Sequence, residues 1–337
     1  MERILYCLSH IYSQIKGNWP GVLEITDEER SNLQKSGLFT GSLFDIQISE
    51  WQNLVLTLIE DFPGVLPWLP RWCREKDPGG ERLCSAAFRH LQQVEEAGAN
   101  YITYDQSFYP NLLRYIPDPP LAFTCSGQID TLLKPQVSII GSRKASVKAL
   151  EESFALAELL SKLGYSVVSG GAFGCDITAH QGSLASGVFP APTVSVAASG
   201  LARLYPVHNQ RIFYQMKAMD GVILSERLWW EGCRPRDFAV RNRIISGLSA
   251  TTCVMQAGMK SGALLTAKHS LNQGREVLVL RHPEYDVRAD GSRWLEDDGA
   301  FGFSSSQEIS LKLLGPLPPK LSSIIGSLGS KGAVLTQ

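Results

Sequence analysis

Residues 137–176, VSIIGSRKASVKALEESFALAELLSKLGYSVVSGGAFGCD, hold one strand–helix–strand unit, and that unit decides the fold. VSII (137–140) is a short β-branched run. Leu150, Phe154, Ala157 and Leu160 then form an apolar stripe at helical spacing, and Gly164, just past Leu163, closes the helix. YSVVS (165–169) follows as a second strand. Nearly all-apolar strands joined by a helix predict parallel neighbours covered on both faces.

The same alternation continues through TVSVA (193–197), GVILS (221–225), TTCVM (251–255) and EVLVL (276–280), six strands in all. The predicted fold is α/β, an extended, Rossmann-like, doubly wound and mainly parallel sheet over residues 101–305. Its first stretch, 101–121, is a proline-punctuated connector in which each residue before a proline is biased to extended geometry. Residues 1–100 predict a small helical domain, with Trp51, Leu54, Val55, Leu58 and Ile59 on one helical face. Residues 306–337, rich in Gly, Ser and Pro, lack periodicity and predict a loosely ordered tail.

Composition narrows the function classes. The chain has 44% hydrophobic and 19% charged residues, which fits a globular protein. A formal net charge of -1 gives no general basic signature, so any polyanion partner must be met by local clusters. Seven scattered cysteines, none in a CxxC pair, suggest neither a disulfide framework nor a zinc site and fit a cytoplasmic location. No apolar run reaches the length of a membrane span, and the N-terminus has no export core.

In an open parallel sheet, ligands bind beyond the carboxyl ends of the strands. Those ends lead into GSRKAS (141–146), SGGAFGCD (169–176), AASG (197–200), SERLWW (225–230) with RNRIISGLS (241–249), and QAGMKSG (256–262). Glycines let backbone N–H groups approach an oxyanion, and the helix that follows adds partial positive charge. Arg143, Lys144, Arg241, Arg243 and Lys260 add formal charge. One such loop could be plain turn chemistry; several converging at one sheet edge predict a cradle for multiple phosphates. Arg241 and Arg243 would face opposite ways on a helix and the same way on an extended entry to it, which ranks Arg241 first and leaves an ion pair as the competing role of Arg243.

Other chemistries find little support. Ser169 stands where a dinucleotide fingerprint needs its first glycine, no Walker sequence occurs, and no G-x-S-x-G elbow is present. No cofactor is expected. Asp176 and His180 lie at i, i+4 without a third metal ligand, so a helix-opening carboxylate and a packed histidine are expected. Trp229 and Trp230 offer either base-stacking surface or loop packing.

Taken in order, several motifs resemble the DNA-processing (DprA/Smf) family. They are YPNLLRYIPDPP (109–120), IIGSR (139–143), SGGAFGCD (169–176), YPVHN (205–209), RNRIISGLS (241–249), KSGALLTA (260–267) and QGREV (273–277). The resemblance covers about 104–309 and implies a recombination mediator, not an enzyme, that binds single-stranded DNA, forms a homodimer and loads RecA during natural transformation. Carried over by position, the implied DNA site comprises Gly141, Ser142, Arg143, Lys144, Gly170, Gly171, Gly174, Arg241, Asn242, Arg243, Lys260, Ser261 and Gly262. The helical N-terminal domain would be SAM-like or similar. Three departures stand out: Phe173 and Val240 replace arginines, and Gln256 replaces a glutamate. Many members carry a winged-helix domain at the C-terminus; the 28 residues after Ile309 are too few for one, and none is expected.

Two other functions compete. A LOG-like phosphoribohydrolase would need P-G-G-x-G-T-x-x-E after a strand, whereas Pro78-Gly79-Gly80 runs on into Glu81 and Arg82. A regulatory sensor binding a small nucleotide in the same pocket is the other.

Overall fold

The computed structural model describes His10 and residues 79–314. The helical face expected at Trp51–Ile59 and most of the expected N-terminal domain therefore lie outside the described residues. Helix α1 (Gly79–Glu96) leads into nine strands: β1 (Asn100–Thr103), β2 (Ala122–Ser126), β3 (Gln136–Gly141), β4 (Ser166–Ser169), β5 (Thr193–Val196), β6 (Val222–Ser225), β7 (Thr251–Gln256), β8 (Glu276–Leu280) and β9 (Phe301–Phe303). They form one sheet in the order β1-β2-β6-β5-β4-β3-β7-β8-β9. β1–β2 and β2–β6 pair antiparallel, and every other pair is parallel.

The remaining helices are α2 (Asn111–Arg114), α3 (Val147–Lys162), α4 (Cys175–Ala185), α5 (Gln210–Ala218), α6 (Pro235–Leu248), α7 (Gly262–Asn272), α8 (Asp290–Asp297) and α9 (Ser306–Leu314). Side chains alternate across a strand, so β3 sends Val137 and Ile139 into one core and Ile140 into the other. The first core packs against Leu156, Ala157 and Leu160 of α3 and Ala179 of α4. The second takes Ile244, Ile245 and Leu248 of α6 and Leu264 and Ala267 of α7. The sheet is thus covered on both faces, as a parallel α/β sheet requires.

The six strands expected from sequence, β3 to β8, fall where the sequence places them, and three further strands, β1, β2 and β9, were not anticipated. β1 and β2 lie at the ends of the stretch read as an extended connector; pairing with β6 turns its polar N–H and C=O groups into ladder partners. The stretch from residue 306, expected as a loosely ordered tail, starts with a helix, and residues 315–337 lie outside the described residues. Ser306–Leu314 is helical, with Ile309 buried in the α3 core and the Ser306 N–H donating to Glu152 Oε2 (2.7 Å). No described helix is long and apolar enough to cross a membrane.

Candidate phosphate-binding site

The chain runs from β3 to β6 in one direction across the sheet and then returns beside β3 with β7. That reversal opens a crevice between the loops after β3 and β7, where α/β sheets bind ligands. Ser146 caps α3, its Oγ accepting the Ala149 N–H (3.2 Å), and Ser261 caps α7 by accepting the Leu264 N–H (3.2 Å). Both helix N-termini therefore point their partial positive charge at the crevice. Gln256 links the loops: its Oε1 accepts the Ser146 N–H (2.8 Å), while its Nε2 donates to Asp286 Oδ2 (2.8 Å) in the loop after β8.

Arg143, Lys144 and Lys260 are exposed here and make no ion pair among the described residues. The Lys144 N–H donates to Ser142 Oγ (3.2 Å), which fixes the turn. Arg143 lays its guanidinium 5.3 Å from the centre of the Phe238 ring. Gly174 adopts φ +76°, and a Cβ there would collide with the Ser142 carbonyl oxygen. Only glycine lets the loop after β4 close against the loop after β3.

The two arginines of RNR part company on α6. Arg241 is 6% exposed and donates from Nη1 to the carbonyls of Gly170 (2.7 Å) and Val196. A Cβ on Gly170 would lie 2.7 Å from both Arg241 Nη2 and Asp176 Oδ2, so glycine there lets the pair approach. Burial lowers Arg241 to about 10 despite the attraction of Asp176, leaving it charged at neutral pH. Burial likewise raises Asp176, against the pull of Arg241 and of the Gly141, Ala172 and Gly170 N–H groups. Arg241 thus ties the ends of β4 and β5 together. Asn242 Nδ2 donates to the Gly262 carbonyl (3.3 Å) and ties α6 to the start of α7.

Arg243 does not join the crevice. Its Nη1 and Nη2 hold both oxygens of Glu226 (2.8 and 2.7 Å), and its Nε contacts Asp118 Oδ2 (2.8 Å). Two residues along a helix turn a side chain through about 200°, so Arg243 faces the ion pair while Arg241 faces the carboxyl ends of β4 and β5. Burial alone would raise Glu226, but the Arg243 charge and hydrogen bonds outweigh it and hold Glu226 below its ordinary value. Gly141, Ser142, Arg143, Lys144, Gly170, Gly171, Gly174, Lys260, Ser261 and Gly262 lie at or just after the carboxyl ends of β3, β4 and β7.

His180 is a packed core residue: its Nδ1 lies 2.8 Å from Thr193 Oγ1, and burial pushes it down to about 3. The tryptophans serve packing. Trp229 packs against a core cluster and its backbone N–H donates to His90 Nδ1 (3.0 Å), while Trp230 lies under the Arg89 guanidinium (4.6 Å), joining α1 to the loop after β6. Tyr205 and His208 at the rim were not singled out from sequence, although YPVHN was visible as a motif; Phe238, near the two tryptophans in sequence, meets Tyr205 there.

Fold and site together define an open, Rossmann-like α/β protein with a glycine-rich, cationic carboxyl edge. Residues 100–314 match the family model of DNA recombination-mediator protein A. Protein Smf of Synechocystis is 34% identical over 245 residues, covering 71% of this chain and 60% of its own length. DNA processing protein DprA of Streptococcus pneumoniae is 30% identical over 295 residues, covering 85% of this chain and 98% of its own. The X-ray structure of the Streptococcus pneumoniae protein superposes with a TM-score of 0.60 at 26% identity, over 85% of this chain and 98% of that one. DNA processing protein A from Helicobacter pylori, solved to describe its single-stranded DNA binding mode, gives a TM-score of 0.57 at 30% identity, over 64% of this chain and 96% of that one. The chain belongs to the DNA recombination-mediator protein A family.

Proposed function

We propose that this chain binds single-stranded DNA at the carboxyl edge of its sheet, as a binding protein and not an enzyme. One observation carries the reading: Arg143, Lys144 and Lys260, exposed and without an ion-pair partner among the described residues, flank a crevice at which two helix N-termini converge. Phosphates are the ligand such an edge suits, because the charge is positive, the backbone donors are many and the formal cations are long and exposed. The Helicobacter pylori relative supports single strands as the polymer. Loading of RecA, protection of incoming DNA during transformation, a homodimer and a cytoplasmic setting complete the proposal through family membership.

Arg241 and Asn242 act as supports of the cradle in this account, and Arg243 as an anchor beside it. The test is the Arg143→Ala, Lys260→Ala double variant, with circular dichroism to confirm folding. Loss of oligo-dT binding is expected. Retention of wild-type affinity would move the site elsewhere, and stoichiometric displacement of DNA by a mononucleotide would favour a small-nucleotide sensor.

A further inference from the structure

The rim of this site exposes more aromatic surface than phosphate neutralisation requires. Phe173, in the loop after β4, is 39% exposed, and its ring centre lies 5.9 Å from that of His208. Tyr205, 48% exposed, meets Phe238 edge-on at 5.7 Å. Asn209 Nδ2 donates to the Gly171 carbonyl (3.0 Å), which fixes the turn carrying Tyr205 and His208 against the loop carrying Phe173. On the other side, Gly174 sets that loop against the backbone of Ser142 and Arg143.

The rings therefore stand beside the cation that starts the cradle. Phe173 belongs to none of the described core clusters, so packing does not account for it. At this position the chain presents a π face instead of a charge. Every base has a π face of its own, so such an exchange favours stacking without base preference.

We infer that Phe173, backed by His208, is a base-stacking platform for the strand whose phosphates occupy the cradle. Within the single-stranded DNA reading, on which this rests, the platform makes binding depend on bases as well as charge. The ring holds a base, and Arg143 holds the neighbouring backbone.

The experiment compares binding of oligo-dT and of an abasic strand of equal phosphate number to the full chain and to Phe173→Leu, Phe173→Tyr and Phe173→Arg. Thermal melts check that each variant folds. Wild type should prefer dT, Phe173→Leu should weaken dT roughly tenfold with abasic binding unchanged, and Phe173→Tyr should keep the preference. Phe173→Arg should bind both strands alike, with a log–log salt slope steeper by about 0.7. A 2-aminopurine base in the strand should be quenched by wild type and Phe173→Tyr and not by Phe173→Leu. Wild type that binds both strands equally, or Phe173→Leu that keeps the dT preference, overturns the platform and leaves the phosphate site standing. Failure of wild type to bind either strand at low salt overturns the DNA reading itself.

Discussion

Three arginines of the motif loops meet three different fates, and the difference is one of partners. Arg143 is exposed and unpaired among the described residues, Arg241 is buried against two carbonyls and Asp176, and Arg243 is buried in a bidentate pair with Glu226. Arg143→Ala should weaken single-stranded DNA binding and flatten the log–log salt slope by about 0.7, with an unchanged melting temperature. Arg243→Ala should instead strand a buried carboxylate and cost about 3–5 kcal/mol in urea unfolding at pH 7. The Glu226→Ala, Arg243→Ala double variant should then lose less than the sum of the two single ones; strict additivity would contradict the pair. The position of Arg143 at the carboxyl edge was legible from sequence because its loop follows an unmistakable strand. For Arg243 the sequence offered an ion pair as the competing role but not its partners, since Asp118 lies 125 positions away and only the fold brings it near.

Among the elements, the interior parallel strands were readable because burial on both faces makes them continuous apolar runs. The outer strands carry a weaker signal: β1 reads NYIT, β9 is three residues long, and β2 sits just past a proline-rich segment. Helix α9 was missed because its anchoring residue, Ile309, precedes a Gly- and Pro-rich stretch that dominates the local composition. Ile309→Ala should destabilise the chain by about 2–5 kcal/mol if that helix completes the core.

A second element-scale prediction concerns the junction of α4 with β5. Burial keeps His180 neutral in the fold down to about pH 3, whereas the unfolded chain takes up its proton near 6.5. Its contribution is therefore complete above pH 6.5 and falls away as the pH drops towards 3. His180→Asn removes that dependence, so the stability gap between wild type and variant should shift by roughly 2 kcal/mol between pH 7 and pH 5. Parallel pH profiles would show that His180 is not held neutral.

At the scale of the whole molecule, a formal net charge of -1 conceals a segregated distribution. Glu226 and Asp118 pair with Arg243 internally, while Arg143, Lys144 and Lys260 at the crevice, with Arg203 after β5 and Arg236 in the first turn of α6, have no ion-pair partner among the described residues. Composition cannot report this, because it weighs a buried pair and an exposed cation alike. The measurement that tests the account most directly is fluorescence anisotropy of labelled oligo-dT with the full chain across a salt series. Three to five phosphate contacts predict a log–log slope between about -2 and -3.5, with duplex DNA a poor competitor. A slope near zero, or no binding at low salt, would contradict the proposal that this sheet edge is a polyphosphate site.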